Sequence, residues 1–162
     1  MALAVPASWI PAGVPDKWVP IHRLSGWKQV GGHIGQIEAN MPPNHFILAG
    51  DRMLTAHLAF YVPSQGRVYQ TQPGTRVESQ YHIWPGYQGL LHYDAIVVVE
   101  GKGSRPTVLP GEVRGAFAGI EAETFTATDS SGRAIRTYGI WLCHDFRGRP
   151  HGRPATDPAP ND

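Results

Sequence analysis

His92-Tyr-Asp-Ala-Ile-Val-Val-Val-Glu100 is the stretch that decides the fold predicted for this chain. Its centre, Ile96–Val99, consists of β-branched residues, which are stiff at χ1 and fit a pleated sheet better than a helix. We therefore predict a strand over His92–Glu100. Because side chains alternate along a strand, this prediction places His92 and Asp94 on one face, at the start of an apolar row.

Further strand-like segments lie on both sides of this one, and the turns Pro63–Gly66 and Asp129–Gly132 would join two pairs of them as hairpins. One segment is ambiguous, because Asp51–Tyr61 also fits a helix that is capped by Asp51. The predicted strands are Ile34–Ala39, His45–Ala49, Thr55–Val62, Arg67–Gln72, Val113–Thr128 and Arg133–His144.

This pattern predicts a mainly β protein, a single-domain antiparallel β-barrel or strongly curved sheet with at most one or two short helices. A sheet with one packed helix is the alternative. In outline such a barrel is similar to lipocalins and allene oxide cyclases. That likeness is one of architecture, and no motif in the chain carries it to an activity.

Proline-rich segments flank the predicted domain at both ends of the 162-residue sequence. Residues 1–20 hold four prolines and two tryptophans, so we expect an extended arm that packs onto the body. Residues 21–146 would form the β-rich globular domain. Residues 147–162 contain four prolines and no large apolar side chain, which predicts a disordered tail.

Composition narrows the possible partners. The net charge is +1 and the basic residues are scattered, so we expect no nucleic-acid binding. No apolar run is long enough to span a bilayer, and the N-terminus lacks the features of a signal peptide, so we expect a cytoplasmic protein without a membrane partner. Cys143 is the only cysteine, which excludes an intramolecular disulfide. A homo-oligomer remains open.

The stretch Tyr81–Asp94 combines aromatic rings, imidazoles and a carboxylate, and it supplies two of the four predicted catalytic residues. His92 would be a general base that Asp94 orients, since a neighbouring carboxylate fixes the tautomer of an imidazole. Tyr61 or His57 would polarise the substrate. The alternative is that His92 and Asp94 simply face water at the start of a strand.

Several aromatic residues are candidates for ligand contact. Trp84 and Tyr87 flank a Pro-Gly turn and would cover a ligand, or would only pin their own loop to the domain. The other predicted ligand-binding residues are Tyr69, Tyr138, Trp141 and His144. The sequence contains no His-x-His, His-Glu-x-x-His or Cys-x-x-Cys pattern, so we predict no metal site and no cofactor.

These residues lead to one principal hypothesis and two alternatives. The principal hypothesis is a cofactor-independent acid–base enzyme, an isomerase, cyclase or hydratase/dehydratase, acting on an apolar oxygen-bearing small molecule. The first alternative is a non-catalytic module that binds a carbohydrate or a protein through exposed aromatic residues. The second is an effector, toxin or inhibitor of a macromolecule. An enclosed cavity would favour the enzyme, and a solid core would favour the module.

Overall fold

A computed structural model describes residues 26–71, 80–82, 86–101 and 107–148. The predicted N-terminal arm and almost all of the predicted tail lie outside these residues. The elements in chain order are α1 (Trp27–Glu38), β1 (His45–Ala49), α2 (Arg52–Tyr61), β2 (Val68–Gln70), a 3-10 turn (Gln80–His82), β3 (Asp94–Glu100), α3 (Gly111–Arg114), β4 (Phe117–Thr128) and β5 (Ala134–Phe146).

The five strands form one mixed sheet in the order β2-β1-β3-β5-β4. Strands β1, β2 and β3 are parallel to one another, and β5 is antiparallel to both β3 and β4. The predicted β-rich protein with few short helices is therefore confirmed. Among the described residues the edge strands β2 and β4 do not pair with each other, so the predicted closed barrel is not confirmed.

Strand β3 confirms the central prediction, although it begins at Asp94 and not at His92. Its residues Ala95–Val98 are fully buried, because the sheet is covered on both faces. On one face, Ile96 and Val98 pack with residues from α1 and α2. On the other face, Ala95 and Val97 pack with residues from the loops around α3 and from residues 86–93. A strand that is buried on both sides reads as a continuous apolar run, as this one does.

Helix α2 replaces the strand predicted over Thr55–Val62, and the helical alternative is confirmed. Asp51 caps the helix, since its Oδ1 accepts a hydrogen bond from the Leu54 amide at 2.9 Å. Leu54 and Leu58, one turn apart, are both fully buried. Residues Pro63–Gly66 therefore do not form a hairpin. They lead from α2 into β2, which completes a β1–α2–β2 unit of parallel strands.

Helix α1 likewise replaces the strand predicted over Ile34–Ala39. Trp27, Val30 and Ile34 recur at helical spacing and are buried. Gly31 allows close packing against α2, because a Cβ atom there would lie 2.6 Å from the backbone of Tyr61. Gly31, which weakens the helical signal in the sequence, is thus required by the contact between the two helices.

Candidate functional site

The sheet brings together two residues that are fifty positions apart in the sequence. Asp94 begins β3, and His144 lies near the end of β5, which runs antiparallel beside it. The Nδ1 atom of His144 lies 3.0 Å from Oδ2 of Asp94. The Asp94 side chain is 18% exposed and that of His144 is 42% exposed. The imidazole therefore reaches solvent, while the carboxylate that holds it is largely covered.

A second imidazole–carboxylate pair adjoins the first. The Nδ1 atom of His92 lies 2.8 Å from Oδ1 of Asp145. Arg147 donates a hydrogen bond through Nε to the other oxygen of Asp145 at 3.1 Å. These hydrogen bonds, from His92 first and then from Arg147, hold the pKa of Asp145 below its usual range. The Asp145 amide donates to Oδ1 of Asp94 at 2.9 Å and so joins the two pairs.

The backbone in this cluster is strained. His92 has φ +64° and Asp145 has φ +56°, values in the left-handed region that non-glycine residues seldom occupy. Hydrogen bonds hold both positions, since the His92 amide donates to the Phe146 carbonyl and the Phe146 amide donates to the Tyr93 carbonyl. Such strain tends to persist where it serves a function. We refer to His92, Asp94, His144 and Asp145 as the paired His–Asp site.

The structure corrects the predicted pairing. His92 lies in the turn before β3 and not on the strand, so the common strand face expected for His92 and Asp94 does not exist. Asp94 instead contacts His144, and His92 contacts Asp145. The alternation predicted along this strand is confirmed for Tyr138, Ile140 and Leu142, which share one core, while Trp141 and Cys143 belong to the other.

His57 and Tyr61, the predicted polarising residues, lie on helix α2 and not on a strand. The His57 imidazole stacks on the Trp27 indole, with ring centroids 3.8 Å apart. Burial and the nearby charge of Arg136 lower the pKa of His57. Among the residues that the structure describes, no hydrogen bond or ring contact joins His57 or Tyr61 to the paired His–Asp site.

Most of the predicted ligand-binding aromatics belong to the core. Tyr87 is 3% exposed, Tyr138 is fully buried and Trp141 is 9% exposed, so none of them offers a binding surface. Tyr87 therefore cannot belong to a surface of exposed aromatic residues of the kind that the binding-module alternative requires. Burial raises the pKa of Tyr138. Trp84 lies outside the described residues.

Tyr69 lines an open concavity. This cleft, of about 200 Å³, follows edge strand β2, and we refer to it as the β2 cleft. The guanidinium carbon of Arg67 lies 5.0 Å from the centroid of the Tyr69 ring. Gln65, at the rim, has φ +48° and is the third left-handed non-glycine residue of the described chain. The lining residues are Ala59, Gln65, Gly66, Arg67, Val68, Tyr69, Gln70 and Tyr81.

A second cleft, of about 230 Å³, lies beside the C-terminal end of β3 and the start of β5. Its two charged residues, Glu100 and Arg136, form an ion pair with each other. The guanidinium group also lies 4.4 Å from the centroid of the Trp27 ring. These charges therefore have partners within the fold.

Other histidines of the described chain also contact carboxylates, notably His33 with Glu123 and His45 with Glu38. Within the described ranges, no group of three or more His, Cys, Asp or Glu side chains is arranged to hold a metal ion.

Comparison with known proteins adds no further assignment. No protein-family model matches the chain, and no curated protein or solved structure is significantly similar to it. In the described part of the chain, no helix has both the length and the apolar character needed to cross a membrane. The β2 cleft and the paired His–Asp site are therefore the two candidate functional sites.

Proposed function

We propose that this protein is a binding module for a small sugar-class ligand, which it holds in the β2 cleft. The observation that carries the proposal is the chemistry of the lining. Tyr69 and Tyr81 offer aromatic surface, the Gln65 amide offers both a donor and an acceptor, and Arg67 contributes a guanidinium group. Sugars combine apolar C–H faces with hydroxyl groups, so they need this mixture.

The size of the cleft supports a ligand of about one ring. Its volume of about 200 Å³ is below the ~300–1,000 Å³ that is typical of pockets for drug-sized molecules. The described residues of both hydrophobic cores are closely buried, with Leu48, Ile96 and Val97 fully so. A packed core with an open surface cleft is the arrangement expected of a binding module.

The cleft wall is held in position before any ligand binds. The Tyr69 ring contacts Phe46 edge-on, with centroids 5.8 Å apart, and also contacts Tyr87 at 6.2 Å. Arg67 lies over the same ring. Groups that are already ordered lose little conformational entropy on binding, which favours affinity for a small ligand.

The acid–base enzyme remains a prediction. Two of its four assigned residues, His57 and Tyr61, lie on α2, whereas Asp94 begins β3 and His92 lies in the turn before it.

Saturation-transfer NMR with glucose, galactose, mannose and N-acetylglucosamine tests the proposal. We expect at least one of these sugars to bind, and we expect Gln65→Ala to weaken its binding about two- to tenfold, the effect of losing one hydrogen bond. Gln36→Ala, which removes an exposed glutamine from α1, is the matched control and should bind like the wild type. Absence of binding by all four sugars, or equal binding by the Gln65 variant, would contradict the proposal.

A further inference from the structure

We propose that the paired His–Asp site is a proton-transfer centre, in which Nε2 of His144 acts as a general base on a small carbon acid. This site shares no residue with the β2 cleft, so the inference is independent of sugar binding.

The contact with Asp94 fixes the tautomer of His144. An ionised carboxylate only accepts hydrogen bonds, so the contact between Nδ1 of His144 and Asp94 places the ring proton on Nδ1. The lone pair of the neutral ring is then on Nε2. The nearest charged atom to Nε2 is Oε1 of Glu121, at 4.0 Å, which is beyond hydrogen-bond distance. The basic nitrogen thus belongs to a side chain that is 42% exposed.

The Asp94 carboxylate, which orients His144, is itself held by two contacts. Both oxygens of Asp94 are engaged, Oδ2 by His144 and Oδ1 by the Asp145 amide. The second of these bonds depends on the left-handed conformation of Asp145, where the strand is locally distorted. A general base needs a third group that fixes its direction, and the distorted backbone supplies that support.

The paired His–Asp site differs from an ordinary surface pair of a histidine and a carboxylate. His33 also contacts a carboxylate, that of Glu123, but through Nε2 at 2.6 Å, and its ring stacks on Phe125. No strained residue adjoins that pair. The paired His–Asp site has two non-glycine residues in the left-handed region, His92 and Asp145. It also has a second imidazole and the Arg147 guanidinium, which is 65% exposed and can face a developing negative charge.

The chemistry can be followed with 5-nitrobenzisoxazole, a carbon acid whose reaction needs only a base. Nε2 of His144 would take the proton from C3, the C–H electron pair would form the nitrile, and the N–O bond would break. The product is a cyanophenolate that carries the negative charge, and the imidazolium returns its proton to solvent. No oxidant, reductant or second substrate takes part. The phenolate is coloured, so its release gives the rate directly.

The test compares three variants of the full chain with the wild type at pH 7.5. General bases contribute about 10²–10⁴-fold to a rate, so we expect His144→Ala to lower the protein-dependent rate at least tenfold. Asp94→Asn should also lower it, because the amide would no longer fix the Nδ1–H tautomer. His33→Ala, at the unrelated pair, should react like the wild type.

Chemical rescue separates a catalytic role from a structural one. Imidazole added to the His144→Ala variant should restore part of the lost protein-dependent rate, which is the rate above that of the same imidazole concentration without protein, because the truncated side chain leaves a gap beside Asp94. A structural role predicts no recovery above that solution rate, even with an unchanged NMR fingerprint of the fold. A wild-type rate in His144→Ala, or a loss of rate that imidazole does not restore, would overturn the inference.

Discussion

The imidazole of His57 lies flat against the indole of Trp27, with ring centroids 3.8 Å apart and planes inclined by 13°. Arg136 lies over the same indole and forms an ion pair with Glu100. Burial, and then the positive charge of Arg136, lowers the pKa of His57, and the opposing effects of Glu100 and Asp51 are smaller. The folded protein therefore favours the neutral imidazole.

This arrangement predicts a loss of stability in mild acid. A histidine whose pKa is lower in the folded state contributes stability above its unfolded pKa of about 6.5, and this contribution is lost as the pH falls below that value. We expect the free energy of unfolding in urea to fall between pH 7.5 and pH 5. His57→Phe keeps a planar ring against Trp27 but cannot take up a proton, so its unfolding free energy should depend less on pH over this range. Equal pH dependence in the two proteins would exclude His57 as the cause.

The helix contact predicts opposite effects for two neighbouring glycines. A Cβ atom at Gly31 would lie 2.6 Å from the backbone of Tyr61, whereas one at Gly32 would meet nothing within 4 Å. We expect Gly31→Ala to lower the free energy of unfolding by about 1–3 kcal/mol through overpacking. Gly32→Ala should raise it by up to about 1 kcal/mol, because alanine favours the helix. Thermal and urea unfolding of both variants check the contact, and a stable Gly31→Ala protein would be incompatible with it.

These elements also show how far the sequence determines the fold. The β-branched run Ile96–Val99 predicts β3 correctly, because its local preference agrees with its burial on both faces. Thr55–Val62 is wrongly predicted as a strand, since its alternation is compatible with either structure and the Asp51 cap decides for the helix. The parallel pairing of β1 with β2 and β3 depends on contacts between distant segments, which alternation along one strand does not encode.

The sequence predicts the candidate site only in part. It indicates a functional role for Asp94 and for His144 separately, and the sheet brings the two together across fifty residues. Their pairing follows from the register of β3 against β5, and the contact between His92 and Asp145 follows from two left-handed residues that no sequence pattern marks. The sequence predicts that Tyr87 and Tyr138 contact a ligand, but the packing of the two cores buries both side chains.

Tyr138 gives a prediction that separates stability from binding. Its hydroxyl is buried without a hydrogen-bond partner among the described residues. An unsatisfied buried polar group costs about 1–3 kcal/mol, so Tyr138→Phe should raise the free energy of unfolding by about 1 kcal/mol. The variant should bind sugar as the wild type does, because Tyr138 does not line the β2 cleft. A destabilised Tyr138→Phe protein would imply that the hydroxyl has a partner.

Gln65 gives a prediction in which ligand binding changes and stability changes little. Its φ of +48° is unfavourable for any residue with a Cβ atom. Gln65→Gly relieves this strain but makes the unfolded chain more flexible, so we expect the free energy of unfolding to rise by no more than about 1 kcal/mol. Sugar binding should weaken because the amide is lost. Urea unfolding and ligand titration of one protein sample measure both effects, and a variant that is less stable yet binds equally well would contradict the assigned role.

The most direct test of the central claim is amide chemical-shift mapping of the ¹⁵N-labelled wild-type protein during titration with the sugar that binds best. The β2 cleft predicts saturable shifts at Ala59 and at residues 65–70, with small changes around His92, Asp94 and His144. Shifts that do not saturate, or that are concentrated away from strand β2, would contradict the claim that this cleft is the ligand site.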